Sequence, residues 1–139
     1  MLALLDAAIF NLIVGNADAH GKNFSLLYQT GGVTLAPFYD LLATIAYPGL
    51  SAKLAMRIAK RATLEEISST TWPEFAADVG LGAPFVRRRV VELAEAVIAQ
   101  AREVAERPAL IGLDRNALTN YSSLLVSRAE RVARTGIRS

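Results

Sequence analysis

The sequence predicts one mostly helical α+β domain. Apolar residues recur at helical spacing in four segments, and two short runs rich in Leu, Tyr, Val and Phe flank a Gly-Gly turn. Hydrophobic residues make up 53% of the 139 residues and charged residues 20%, which is too apolar for a disordered chain. A chain of this length buries about two-thirds of its unfolded surface, enough for one core.

The first half predicts a helix, a polar loop and a β-hairpin. Residues 2–14 carry aliphatic side chains on more than one face, so we expect a helix that is buried on most sides and ends at Gly15. F-S-L-L-Y-Q and V-T-L-A-P-F, separated by T-G-G, predict the hairpin. Y-D-L-L-A-T-I-A-Y-P predicts a loop that becomes a short helix and ends near Pro48.

The second half predicts three more helices. K-L-A-M-R-I-A, residues 53–59, alternates over too few residues to separate strand from helix, and we favour a strand. Thr71-Trp-Pro-Glu74 has the pattern of a capping box that starts a helix, which Gly80 or Gly82 ends. An apolar stripe predicts a helix over residues 84–106, ended by R-P-A-L-I-G-L, and a last helix runs over residues 114–134 with Asp114 at its start.

Composition excludes several classes of protein. Without Cys there is no disulfide, thiolate nucleophile or Cys-ligated zinc, which is compatible with a cytoplasmic protein, and one His excludes a site of several imidazoles. Residues 2–15 are too short and too interrupted to predict a membrane span or an exported protein. Basic residues are concentrated after residue 50, notably Arg87–Arg89, Arg128, Arg131, Arg134 and Arg138. Interspersed Glu residues favour a solvated helix face over a surface for nucleic acid or an acidic partner.

The most informative stretch is G-N-A-D-A-H-G-K-N, residues 15–23. An Asp, an Asn five residues later and a second Asp beyond a hairpin, here Asp18, Asn23 and Asp40, follow the order used by protein-kinase-like phosphotransferases. In that chemistry a loop Asp orients the attacking hydroxyl, while a carboxamide oxygen and a carboxylate hold Mg²⁺ against the ATP phosphates. Taken alone, the stretch is also typical of a solvated turn at a helix end.

I-V-G-N-A-D-A-H-G-K-N-F-S-L-L, A-P-F-Y-D-L-L and K-L-A-M-R-I together resemble the C-terminal lobe of HipA-type serine/threonine kinases, the toxins of bacterial HipA–HipB toxin–antitoxin systems. The resemblance implies a helical kinase-like lobe with a small hairpin beside the catalytic loop, acting with ATP and Mg²⁺. It makes Asp18 the catalytic residue and Asn23 and Asp40 the Mg²⁺ ligands. The residues that it places around the phosphates are His20, Gly21, Lys22 and Tyr39.

The resemblance also implies partners. The family's best-known member phosphorylates an aminoacyl-tRNA synthetase, so we expect a protein substrate, a HipB-like antitoxin, DNA only through the antitoxin complex, and a cytoplasmic location without membrane contact. Nothing before Leu2 resembles the N-terminal lobe with its Gly-rich loop and phosphate-binding Lys. We therefore expect the chain to be inactive alone and to work with an N-terminal lobe on a separate chain or a longer gene product.

Three alternatives stay open at this stage. The chain is a non-catalytic remnant that binds the antitoxin or its DNA complex, a small-molecule or lipid kinase of the same superfamily, or a metallohydrolase. F-Y-D and K-L-A-M argue against the second. The single His argues against the third, because hydrolytic metal sites commonly need two or three.

Overall fold

The computed structural model describes residues 2–107, 112 and 114–137. These residues form four α-helices and one antiparallel hairpin. The elements are α1 (Leu2–Val14), β1 (Leu26–Gln29), β2 (Gly32–Leu35), α2 (Thr71–Asp78), α3 (Ala83–Ala105) and α4 (Arg115–Ile137). Short 3-10 turns occur at Gly21–Asn23, Thr44–Ala46 and Leu64–Glu66. The predicted mostly helical α+β class is confirmed.

One hydrophobic core joins the four helices. Helix α1 contributes more than one face, as predicted from its aliphatic composition, and it is fixed to α3 by Asp6, whose two carboxylate oxygens accept hydrogen bonds from Arg89 at 2.7 and 2.8 Å. Helices α3 and α4 approach closely at Gly136, where a Cβ atom would lie 2.9 Å from Val91. The largest fully buried side chains are Trp72, Ile9, Leu12, Ile13, Val86, Val90 and Val132.

Helix α2 begins and ends where predicted, but not with the predicted cap. Thr71 is the first helical residue, and its hydroxyl accepts a hydrogen bond from the Ser68 N–H at 3.0 Å instead of capping the helix. The Glu74 carboxylate forms an ion pair with the Arg61 guanidinium instead of bonding the start of the helix. The capping-box prediction was therefore wrong, because both side chains found partners before the helix. At the other end Gly80, with φ +68°, terminates α2 as expected.

The predicted strand at residues 53–59 was also wrong. Its backbone forms scattered bonds, from the Leu54 N–H to the Ala62 carbonyl and from the Ala55 N–H to the Ala17 carbonyl, and only Ile58 forms a bridge, with Arg61. No described strand lies beside the segment, since the hairpin strands pair only with each other. The apolar pattern of the segment instead reflects residues that fill the core from an irregular backbone, Leu54 and Ile58 among them.

The hairpin is confirmed, with register Leu26 to Leu35 and Gln29 to Gly32. Its strands are exposed along almost their whole length, so it projects from the helical core.

Helices α3 and α4 are confirmed within one to three residues. The Asp114 carboxylate accepts a hydrogen bond from the Asn116 N–H at 2.8 Å, which caps the start of α4. Most of R-P-A-L-I-G-L, and Arg138, lie outside the described residues. Among the helices described, none is both long enough and apolar enough to cross a membrane.

Candidate functional site

The polar loop begins at a tight turn on the end of α1. The Asn11 carbonyl accepts hydrogen bonds from the N–H groups of both Gly15 and Asn16, at 3.0 and 2.9 Å. Gly15 has φ +75°, and a Cβ atom there would lie 2.4 Å from Cγ2 of Ile45. Gly is therefore required at this position both by the backbone conformation and by the close approach of Ile45.

Thr44 fixes the loop just before Asp18. Its buried hydroxyl donates to the Gly15 carbonyl at 3.1 Å and accepts from the Ala17 N–H at 2.9 Å. The Ala17 carbonyl accepts a further hydrogen bond from Ala55 at 2.8 Å. Asp18 is exposed between the buried Ala17 and Ala19, and within the described residues its carboxylate has no hydrogen-bond or ion-pair partner. The loop thus presents the Asp18 carboxylate to solvent from a fixed backbone.

Asn23 and Asp40 meet across the base of the hairpin. Nδ2 of Asn23 donates to Oδ2 of Asp40 at 2.8 Å, while Oδ1 of Asn23 accepts from the His20 N–H at 2.9 Å. Asp40 has φ +58°. Such a backbone conformation costs a non-Gly residue about 1–3 kcal/mol and persists where the surroundings determine it. Two residues 17 positions apart in the chain are thus held side by side.

Tyr39 ties the segment before Asp40 to the loop. Its hydroxyl donates to the Lys22 carbonyl at 2.7 Å and lies 3.0 Å from the Ser25 hydroxyl. Beside it, the rings of Phe24 and Phe38 pack edge to face with centroids 6.0 Å apart. These contacts close the base of the hairpin and bring residues 38–40 against residues 22–25.

A buried carboxamide pair links α1 to Asp40. Nδ2 of Asn16 donates to Oδ1 of Asn11 at 3.1 Å and to the backbone carbonyl of Asp40 at 3.0 Å. Both asparagines are buried, with 6% and 4% of their surface exposed. Asp40 is therefore held at its carbonyl by Asn16 and at its carboxylate by Asn23.

Arg128 holds the end of α1 from the last helix. Its Nε donates to the Ile13 carbonyl at 2.9 Å and its Nη2 to the Leu12 carbonyl at 2.8 Å, two groups that have no partner within their own helix end. Burial lowers the pKa of Arg128, although the Glu65 carboxylate opposes this effect. The sequence expectation of a solvated arginine face was wrong for Arg128 and for Arg89, which binds Asp6.

The other residues expected to border the phosphates are His20, Gly21 and Lys22, which lie in or next to the 3-10 turn at Gly21–Asn23. His20 is half-buried, and its Nδ1 is enclosed without a hydrogen-bond partner among the described residues. A Cβ atom on Gly21 would meet nothing within 4 Å. The Lys22 side chain is exposed, and within the described part of the chain it forms no ion pair.

The structure therefore brings Asn23 to Asp40 and Tyr39 to the backbone of Lys22, with Asp18 exposed on the same loop. Sequence reasoning gave no role to Asn16 or Thr44, and it assigned Arg128 only to a solvated helix face. Asn16 lay inside the quoted motif, so its polarity next to Gly15 was a usable signal. Thr44 and Arg128 carried none, because their contacts span 29 and 115 residues.

The donor set suits a hard divalent cation that is shared with another ligand. The described residues contain no group of three His, Cys, Asp or Glu side chains that would hold a metal ion by themselves. Asp40 supplies a carboxylate, and Oδ1 of Asn23 keeps a second lone pair beside its bond from His20. One carboxylate and one carboxamide fit Mg²⁺, which takes few protein ligands and completes its shell with water and phosphate oxygens.

Comparison with known proteins identifies the family. Residues 1–105 match the model of the HipA-like C-terminal domain. The chain belongs to this family. It is 48% identical over 132 residues to a protein of Sinorhizobium fredii named "Putative kinase Y4mE". It is 30% identical over 129 residues to the "Serine/threonine-protein kinase toxin HipA" of Shewanella oneidensis. These matches cover 95% and 92% of this chain.

A solved structure gives the same fold. A chain in the solved complex of Shewanella oneidensis HipA, HipB and operator DNA matches 97% of this chain with a TM-score of 0.81 and 28% identity. This chain spans about a third of the length of that solved chain, and 31% and 30% of the lengths of the two sequence relatives. The resemblance to the kinase-like C-terminal region of HipA proteins is thereby confirmed.

Proposed function

We propose that this HipA-like chain is the catalytic-loop portion of an ATP- and Mg²⁺-dependent serine/threonine protein kinase. One observation carries the proposal: Asn23 and Asp40, a carboxamide and a carboxylate 17 residues apart, meet at 2.8 Å beside a loop that presents an exposed Asp18. Phosphoryl transfer depends mainly on positioning and charge stabilisation, which such an arrangement supplies.

In this proposal Asp18 orients the hydroxyl of a protein Ser or Thr and accepts its proton. Its exposure gives an incoming hydroxyl access, and the anchoring of Ala17 to Thr44 and Ala55 fixes the backbone next to Asp18. Among the described residues no contact requires Gly at position 21, and the space above it leaves room for phosphate oxygens. The exposed Lys22 adds a positive charge next to Asn23, and His20 and Tyr39 complete the border of the phosphates.

Asn23 and Asp40 would hold Mg²⁺. When bound, the cation neutralises charge on the nucleotide phosphates. The hydrogen bond from the His20 N–H orients the Asn23 carboxamide, and the Asn16 side chain holds the Asp40 backbone. These contacts hold the two residues beside each other before any cation arrives, which reduces the ordering that binding requires.

The relatives support further parts of the proposal. They are about three times as long as this chain, so we propose that ATP binding needs a further kinase lobe, on a separate chain or a longer gene product. The Shewanella complex supports a HipB-like antitoxin as partner. We propose that this chain reaches DNA only through that antitoxin. The name of the second relative, a serine/threonine-protein kinase toxin, supports a protein substrate. A cytoplasmic substrate such as a component of translation is part of the proposal and rests on the sequence resemblance alone.

A non-catalytic antitoxin-binding module is the second candidate function. The observation that favours it is the complex of HipA with HipB and operator DNA, in which the matching chain is part of an assembly. Under this alternative the chain binds its partner without any dependence on Asp18.

A domain exchange tests the proposal. The chain would replace the matching third of the Shewanella oneidensis HipA kinase, and transfer of labelled phosphate from ATP to protein would be measured beside nucleotide affinity. Asp18→Asn should leave nucleotide affinity nearly unchanged and cut turnover by about 10²-fold or more. Asp40→Asn should weaken Mg²⁺-dependent nucleotide binding itself, because it removes the charged ligand.

Asp78→Asn is the matched control, since Asp78 is an exposed aspartate at the end of α2. It should behave as the unaltered exchange protein. Full turnover in Asp18→Asn would remove that residue from the catalytic role. An exchange protein that binds HipB normally but transfers no phosphate would favour the non-catalytic alternative.

A further inference from the structure

The side chain of Asn16 connects the Asn11 side chain of α1 directly to the Asp40 backbone. Its Nδ2 carries two hydrogens, and both are used: one bonds Oδ1 of Asn11 at 3.1 Å and the other bonds the Asp40 carbonyl at 3.0 Å. Asn11 lies inside the helix, and both asparagines are more than nine-tenths buried. We call this chain of two hydrogen bonds the Asn11–Asn16–Asp40 bridge.

The bridge acts on a residue whose conformation needs support. Asp40 has φ +58°, in the left-handed backbone region that residues other than Gly adopt infrequently. Its neighbour Tyr39 is tied to the Lys22 carbonyl on the hairpin side, and the Asn16 bond ties Asp40 on the helix side. Together the two ties fix the direction in which the Asp40 carboxylate points, toward Asn23.

The chemistry of the bridge explains why a carboxamide is needed at position 16. A carboxylate there has no hydrogen to donate, and it would face two acceptors, the Asn11 Oδ1 and the Asp40 carbonyl. An alanine would leave both acceptors without their donor, and the Asn11 Oδ1 is buried away from water. Asn11 only has to accept, and its place within α1 gives the acceptor a rigid support.

We propose that Asn16, supported by Asn11, is a positioning residue for Asp40 and thereby sets the affinity of the site for a divalent cation. The inference rests on the proposed role of Asp40 as a metal ligand. Asn16 itself donates to a backbone carbonyl and touches no cation. Partners of this kind, one step behind the ligands of a metal, change metal affinity by about 10- to 100-fold when they are removed.

Four variants of the chain separate positioning from stability. They are Asn16→Leu, Asn11→Leu, the double variant with both changes, and Asn116→Leu as a control at an exposed asparagine of α4. Each single change leaves a buried polar group without its partner and should destabilise the fold, whereas the double change removes both side-chain partners. The double variant should therefore recover stability relative to Asn16→Leu, while Asp40 still lacks its tie.

The first measurement uses Mn²⁺ alone, a cation that accepts the same oxygen ligands as Mg²⁺. At one low Mn²⁺ concentration, the paramagnetic broadening of the Asn23 and Asp40 amide signals reports how much of the site is occupied. We expect the broadening to fall about tenfold in Asn16→Leu and in the double variant. It should fall less in Asn11→Leu and stay unchanged in Asn116→Leu.

The second measurement needs no metal. A strong nuclear Overhauser effect between the amide and α protons of Asp40 marks its positive φ, and we expect it to weaken in Asn16→Leu and in the double variant. Wild-type broadening together with a wild-type Asp40 signal in the double variant would overturn the inference and leave the bridge a stabilising contact only. If the unaltered chain shows no Mn²⁺ broadening, the proposed metal site fails instead. The Asp40 Overhauser effect then tests the positioning role by itself. If the effect is retained in Asn16→Leu, the positioning role is overturned, and if it is lost, the role is supported.

Discussion

Replacing Gly15 with Ala should be among the most damaging changes in the polar loop, and the structure gives its size. The left-handed backbone at φ +75° costs an alanine about 1–2 kcal/mol. The new Cβ would also lie 2.4 Å from Cγ2 of Ile45, and overpacking of this kind adds about 1–3 kcal/mol. The two contributions predict a loss of about 2–5 kcal/mol in the free energy of unfolding.

Gly80 provides the matched control. It also has a positive φ, +68°, but a Cβ atom there would meet nothing within 4 Å. Gly80→Ala should therefore lose only the backbone contribution, about 1–2 kcal/mol. The difference between the two variants, about 1–3 kcal/mol, isolates the clash with Ile45.

Urea unfolding followed by the fluorescence of Trp72 measures both variants, because Trp72 is fully buried and is the single tryptophan of the chain. A double-mutant cycle adds a direct test. In an Ile45→Ala background the nearest methyl is gone, so the Gly15→Ala penalty should shrink by about 1 kcal/mol or more. Equal losses for the two glycines, or no coupling with Ile45, would refute the steric explanation.

Three further predictions concern the surface. Lys60 has φ +69° in the tight turn after Ile58, so Lys60→Gly should raise the free energy of unfolding by about 0.5–1 kcal/mol in urea titrations, and an unchanged or lower value would contradict the strain. The pKa of Glu66 is lowered, chiefly by the hydrogen bond from the Ala62 N–H, so its contribution to stability is present above the ordinary Glu pKa of about 4.3 and is lost as the pH falls through the lowered value. Between pH 6 and about 2, the free energy of unfolding should accordingly change less with pH in Glu66→Gln than in the unaltered chain. Tyr28 is 81% exposed on the apolar hairpin, and we expect such a surface to promote self-association. Tyr28→Ser should therefore lower the light scattering measured across a concentration series, and identical scattering would contradict a contact through Tyr28.

The sequence alone was sufficient to predict the elements whose pattern lies within a short segment of the chain. The long apolar run of α1, the Gly-Gly turn of the hairpin and the stripe of α3 each contain their own periodicity or turn chemistry, and all three elements form as predicted. The strand predicted at 53–59 fails because a strand depends on a neighbour to pair with, which no local pattern reveals. The predicted cap at Thr71 fails for a similar reason, since the competing partners, Ser68 and Arg61, lie outside the four-residue pattern.

The candidate site divides in the same way. Asn23 and Asp40 were predictable as neighbours because a hairpin brings its two ends together, and the structure has them in contact. The ties that orient them were not predictable. Thr44 and Arg128 resemble any other threonine and arginine in the sequence, and their roles depend on contacts made only when distant segments pack. The roles of Asp18, His20, Gly21 and Lys22 toward a nucleotide stay predictions.

The hydrogen bonds from Arg128 to the end of α1 make the polar loop, residues 15–23, depend on α4. The family match ends at residue 105, yet the donors that satisfy the Leu12 and Ile13 carbonyls come from α4, beyond that limit. Any event that pulls α4 away from α3, whether a cut in the chain or a competing partner, withdraws those donors. The turn at Gly15 then loses its support without a single change inside residues 15–23. Helix α4 therefore stabilises the polar loop from a distance, and its displacement would loosen the turn that precedes Asp18.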